Sequence, residues 1–154
     1  MIVEATAEDF EAMISGIPPR DLRLSEDAVA PTAVLEMLGD LAQTIRPTFA
    51  PAAWMVVERG ELVGLCSLVR PPVGDEIHIG YGIAPSCQDR GYAARAVADL
   101  LVWARRDPRV GAVTATSIDN PASRRVLERN GFVQTSERID EEDGPVICWR
   151  IATA

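Results

Sequence analysis

The chain has 154 residues, 47% of them apolar and 25% charged, which suits one domain spanning 1–154 with its own core and excludes a disordered or membrane-spanning chain. Its formal charge of −8 repels polyanions and argues against a nucleic-acid partner. Cys66, Cys87 and Cys148 lack CxxC spacing and His78 is the single histidine, so neither a disulfide framework nor a metal site is expected.

Met1–Ala5 reads as a strand. Thr6 then caps a helix of about three turns carrying Phe10, Met13 and Ile14 at helical spacing and ending at Pro18-Pro19. Residues 20–30 read as loop. A second helix from Pro31 to Arg46-Pro47 carries Val34, Leu38, Leu41 and Ile45 as its apolar stripe. Residues 54–58 and 62–69 form a hairpin around Arg59-Gly60-Glu61, and residues 76–83 form a strand with Ile77, Ile79, Tyr81 and Ile83 on one face. Ala93, Ala96, Val97, Leu100, Leu101 and Ala104 mark an amphipathic helix that closes at Asp107-Pro108. The strand over 110–118 that follows this crossover should lie parallel to 76–83. Asn120-Pro121 opens a short helix that stops at Asn130-Gly131, and residues 132–138 and 146–151 close the chain as a hairpin with the acidic tip Asp140–Asp143. The expected fold is α/β (α+β): a mixed, mainly antiparallel seven-stranded sheet with a central parallel pair and helices on both faces.

The stretch from Ile77 to Ala96, IHIGYGIAPSCQDRGYAARA, joins a strand to a helix through a tight turn. Backbone N–H groups at a helix start have no intrahelical acceptor and carry partial positive charge, so the turn can seat a phosphate, and Gly91 lets an anion approach the backbone. A Gln-x-x-Gly-x-Ala run also fits an ordinary strand-to-helix turn. All 15 basic residues are Arg, a side chain suited to bidentate anion recognition. Residues 1–86 hold 13 acids against 5 Arg, and residues 87–154 hold 10 of each. The half with the turn is thus not repulsive to a phosphate, while the acidic half favours a cationic partner or simply solubility. No apolar run reaches membrane-spanning length and MIVEATAEDF lacks signal-peptide character, so a cytoplasmic protein with no membrane partner is expected.

In Ile83-Ala84-Pro85, in Gln88 to Ala93, in Asp119 to Arg124 and in Glu128-Arg129-Asn130-Gly131-Phe132, the sequence resembles the GNAT superfamily of acetyl-CoA-dependent N-acetyltransferases. With the element order included, the resemblance covers nearly the whole chain and looks most like the branch of the ribosomal-protein N-terminal acetyltransferases. It implies acetyl transfer from acetyl-CoA, without a metal, to a primary amine such as a peptide N-terminus or small amine, by direct attack in a ternary complex. It further implies that Gln88, Asp89, Arg90, Gly91, Tyr92 and Ala93 hold the coenzyme A pyrophosphate and that Ile83 and Pro85 lie along the pantetheine. Asn120 and Ser123 would touch the cofactor too, although Asn120 is also explained as a helix cap. Arg90 and Arg95 are further phosphate contacts or solvated charges.

Acetyl transfer needs a base for the amine. His78 stands where this branch often has Glu and is the first candidate, with Glu76 second; each also reads as a structural residue, His78 hydrogen-bonded on its strand and Glu76 at an exposed strand end. The helix position where many members have a Tyr general acid holds Leu127, and Tyr81, pointing with the isoleucines, reads as core. These departures leave room for a noncatalytic acyl-CoA-binding or regulatory module, and the sequence is compatible with a monomer or a homodimer. The acidic first half and the Asp140–Asp143 tip suggest a cationic acceptor.

Overall fold

Residues 53–57 and 62–66 are buried on both faces because helices cover both, as the computed structural model, which describes residues 1–154, makes visible. In chain order the elements are β1 (Ile2–Glu4), α1 (Ala7–Ile14), β2 (Arg23–Leu24), α2 (Thr32–Ile45), β3 (Ala53–Glu58), β4 (Glu61–Leu68), β5 (Glu76–Ile83), α3 (Tyr92–Arg106), β6 (Ala112–Ile118), α4 (Pro121–Arg129), β7 (Val133–Asp140) and β8 (Gly144–Ala152). The sheet runs β1-β3-β4-β5-β6-β8-β7, antiparallel throughout except for the central β5–β6 pair, and β2 lies beside β4. The seven strands of that path, the parallel pair and the four helices match the sequence expectation.

Trp103 of α3 meets Trp54 of β3 edge-on at 5.0 Å. The alternate residues of β3, Ala53, Met55 and Val57, are equally buried, so they face the α1–α2 layer on the other side. One apolar cluster joins Phe10 of α1, Leu35 and Ile45 of α2, the strands, and Val97 and Leu100 of α3.

Three expectations need correction. Residues 20–30 are not all loop, because Arg23 donates its N–H to the Gly60 carbonyl (2.8 Å) and starts a two-residue parallel strand on β4. No hydrophobic period marks so short a strand. α1 has two turns rather than three, since Gly16 turns the chain with φ 71° before the prolines are reached. The fully buried row of α2 is Leu35, Ala42 and Ile45, while Val34, Leu38 and Leu41 are only half-buried. Small residues explain the rotation: a Cβ on Gly39 would stand 3.3 Å from the Phe10 ring, so α1 packs close against that face.

Two features of the sheet shape the site. Gly64 of β4 lies so close to β5 that a Cβ there would collide with the Gly82 carbonyl and the Ile83 side chain. β5 and β6 pair only from Glu76–Ala112 to Ile79–Ala115; beyond that β4 keeps β5 as far as Ile83, whereas β8 keeps β6 as far as Ile118. The two central strands therefore part, leaving a notch at the carboxyl end of the parallel pair, where α/β sheets favour ligands.

Candidate active site

The head of α3 closes this notch. After a turn of 3₁₀ helix at Pro85–Cys87, Asp89 and Gly91 adopt left-handed backbone (φ 63° and 79°) and lead directly into Tyr92. A Cβ on Gly91 would meet nothing nearer than Arg95 at 3.8 Å, so the space in front of the turn is open. α1 and α4 have side-chain caps, the Thr6–Asp9 box and Asn120, but α3 has neither a capping side chain nor an acid in its first turn. As a result, the six consecutive N–H groups from Asp89 to Ala94 donate to no acceptor in the protein. Gln88 supports the turn by donating from Nε2 to the Ile83 carbonyl (3.1 Å).

These N–H groups form one wall of a groove of 560 Å³ between the end of β5, the turn and α4. Of the residues singled out in the sequence, Ile83, Gln88, Asp89, Gly91, Tyr92, Ala93 and Ser123 line it; Pro85, Arg90 and Asn120 do not. The Asn120 side-chain Oδ1 accepts the Ser123 N–H (2.8 Å) as a helix cap. Arg95 is drawn away to Glu58 (3.4 Å) and lies over the Tyr92 ring. On the α4 side of the groove, sequence reasoning named Ser123 but missed Arg125 and Arg129, which stand one turn apart and have no acidic partner. Their i, i+4 spacing was the available signal. It named Asn130 only as a helix stop and motif residue, whereas its side-chain amide donates to the Ala94 carbonyl (3.1 Å) and the Val126 carbonyl (2.9 Å), holding α4 against α3.

Tyr81 corrects the expectation of a purely core residue. It packs against the apolar cluster but also lines the groove, and burial, with the Cys66 thiol beside it, pushes its phenol up to about 12. Leu127, in contrast, is completely buried.

The opposite face of β5 carries Glu76, His78, Gly80 and Gly82. The His78 ring is half-buried and held at both nitrogens, Nδ1 2.7 Å from Thr114 Oγ1 and Nε2 3.1 Å from Thr116 Oγ1. Thr114 gives its own proton to the Ile77 carbonyl (3.3 Å), so it accepts from Nδ1–H and leaves Nε2 as the acceptor for Thr116. Burial first, then the positive fields of Arg70 and Arg138, lower the ring pKa to about 4, and His78 is neutral at neutral pH. Glu76 is engaged by Arg150 at 3.6 Å.

The family model described as "Acetyltransferase (GNAT) domain" matches residues 2–133. No curated protein matches the chain. Among solved structures, the chain is similar to a variant of spermidine N-acetyltransferase from Vibrio cholerae, at 16% identity over 99% of this chain and 95% of that one, with a TM-score of 0.72. It is similar to the ribosomal-protein-S5-alanine acetyltransferase from Vibrio fischeri at 18% identity, over 99% and 92%, with a TM-score of 0.72. A ribosomal L7/L12 alpha-N-protein acetyltransferase in complex with coenzyme A shares 18% identity over 79% of this chain and 70% of that one, with a TM-score of 0.63. At these identities the likeness is one of fold.

Proposed function

Because the chain belongs to the acetyltransferase (GNAT) family and so uses acetyl-CoA, we propose that residues 1–154 are one catalytic domain moving the acetyl group to a primary amine, with both substrates bound together. The observation that carries this reading is the row of six unpartnered N–H groups, Asp89 to Ala94, along the 560 Å³ groove. Such a row, at an uncapped helix head carrying partial positive charge, suits a pyrophosphate. The residues present fit the cofactor: the backbone from Gln88 to Ala93 holds the pyrophosphate, and Ile83 with the neighbouring Pro85 gives an apolar path for the pantetheine. Ser123, Arg125 and Arg129 add polar and cationic contacts from α4.

Bound acetyl-CoA supplies the activated acyl thioester. The chain's own contribution is to orient the amine, accept its proton and tolerate a departing thiolate. Thr116 and His78 form the proton path. As the amine nitrogen bonds to the acyl carbon and becomes acidic, Thr116 Oγ1 takes its proton and passes its own to Nε2 of His78, already 3.1 Å away. Glu76 is the second candidate base and acts only when released from Arg150. On the thiolate side, the Tyr81 phenol at about 12 is a weaker acid than a thiol of about 8.5, so it serves as a hydrogen-bond donor, and the proton comes from water.

Coenzyme A release, followed with a thiol reagent across peptides, polyamines, amino sugars and amino acids, tests the reading. Amine-dependent release with acetyl-CoA is expected. Tight acetyl-CoA binding by calorimetry with no release on any amine would reduce the protein to a coenzyme-binding module.

A further inference from the structure

The cofactor groove and the His78 face lie on opposite sides of one sheet, and the notch between β5 and β6 connects them. The His78 face also carries the α1–α2 layer, and at the margin of that layer one polar group is left over. The protein buries three polar side chains, Asp9, Ser67 and Ser117. Asp9 accepts from Arg20 (2.8 Å) and Ser117 from the Trp149 indole N–H (2.8 Å), but the hydroxyl of Ser67, a residue only 5% exposed, has no hydrogen-bond partner. Every side-chain oxygen wholly shut off from solvent is partnered, so the Ser67 oxygen looks out through an opening.

The strand register locates that opening. Ser67 of β4 stands between Ala53 of β3 and Gly80 of β5, and all three share the His78 face. Ala53 is buried under the helical layer, whereas Gly80 offers no side chain to cover its neighbour. Gly80 is in turn level with Thr116, since each follows the His78–Thr114 pair by two residues on its own strand. Thr116 Oγ1 leans toward β5, within 3.1 Å of the His78 ring. A Cβ on Gly80 would stand 3.0 Å from a Val69 methyl, while one on Gly82 would meet nothing within 4 Å. The space over Gly80 is therefore a short slot with Ser67 and Thr116 as its sides, Val69 and His78 at its inner end, and its mouth over Gly82. Neighbouring strands lie about 4.8 Å apart, so the two hydroxyls face each other across a single strand that has no side chain there. One nitrogen, at about 2.9 Å from each oxygen, bridges such a gap.

We propose that Ser67 is an acceptor-binding residue, whose hydroxyl holds the reacting nitrogen against Thr116 and thereby selects amines with two N–H bonds over N-alkylated ones. This rests on the acetyltransferase reading above. As the nitrogen lone pair bonds to the acyl carbon and the thiolate departs, one N–H proton passes to Thr116. The other stays on nitrogen and becomes the amide N–H of the product. Ser67 accepts this retained N–H in the bound amine, in the transition state and in the amide, so it strengthens binding of the acceptor without changing the rate of the bound complex. An N-methyl amine has a single N–H, which Thr116 takes, and it turns a methyl group toward the buried Ser67 oxygen.

The test follows thiol release with amine pairs that differ by one methyl on nitrogen: tyramine and N-methyltyramine, glycinamide and sarcosinamide, trialanine and its N-methyl form. Ser67→Ala should raise KM for the primary member about tenfold, the loss of one hydrogen bond, and leave KM for the N-methyl member unchanged, so the preference between them shrinks about tenfold. Acetyl-CoA affinity and Tm should stay as they are, because the hydroxyl bonds neither to the cofactor nor to the rest of the protein. Ser67→Cys, close in shape but a weak hydrogen-bonding group, should fall between. Equal effects on both members, or a KM for the primary amine that Ser67→Ala does not move, overturns the assignment while leaving acetyl transfer intact; the second criterion decides alone where an N-methyl amine gives no release. A lowered Tm with unaltered KM would make Ser67 structural. Absence of release with every amine removes the acetyltransferase reading and this proposal with it.

Discussion

His78 is placed where its proton affinity works against it and its geometry works for it. Both ring nitrogens are held by threonines of β6, and burial together with Arg70 and Arg138 lowers its pKa from 6.5 to about 4. A folded-state pKa below the unfolded one means that the unfolded chain binds the proton more readily. Stability from this group is therefore complete above pH 6.5 and is lost as the pH falls toward 4. The loss is at most about 3 kcal/mol, less where solvent screens the half-buried ring. His78→Gln should flatten the decline in unfolding free energy between pH 6.5 and 4, as read by denaturant titration. The same variant should lower turnover by roughly 10²-fold, a general-base effect, with acetyl-CoA affinity retained; undiminished turnover takes His78 out of the proton path. Sequence alone singled out His78 but not Thr114 and Thr116, which stand 36 and 38 positions away and become neighbours only through the β5–β6 register.

The strand and helix pattern was readable because period-2 and period-3.6 stripes mark their own elements, and the cofactor turn was readable because its residues are contiguous. What escaped depends on contacts between elements. α4 supplies Arg125 and Arg129 to the groove only because Asn130 bonds to the Ala94 carbonyl, and the α2 stripe turned because α1 packs against Gly39. Gly64 belongs to this class. Nothing in its neighbourhood of sequence marks it, yet a Cβ there would meet backbone of β5 beside the groove. Gly64→Ala should cost about 2–3 kcal/mol as an overpacking substitution against backbone and weaken acetyl-CoA binding, because Gly82 and Ile83 of the displaced segment line the groove. Gly82→Ala, whose Cβ meets nothing, should leave stability within about 0.5 kcal/mol. Paired denaturation curves read both, and equal losses in the two variants would refute the close approach of β4 and β5.

A protein of net charge −8 that takes a polyanionic cofactor must separate its charges. Its acids are engaged with Arg20, Arg46 and Arg95 or spread over the surface, while Arg125 and Arg129 stand unpaired at the groove and the uncapped head of α3 completes its positive end. Binding should therefore be strong at low salt despite the net charge and weaken as ionic strength shortens the reach of these cations. Saturating coenzyme A at about 100 times its Kd should stabilise the fold by about 2.7 kcal/mol, or roughly 5–10 °C in Tm for a chain of this size. The Arg125→Gln/Arg129→Gln double variant should keep the Tm of the free protein, lose about tenfold in affinity, near 1.4 kcal/mol, and show a shallower salt dependence. A shift that is independent of salt in both proteins would mean that the six N–H groups of Asp89 to Ala94 hold the cofactor without help from α4.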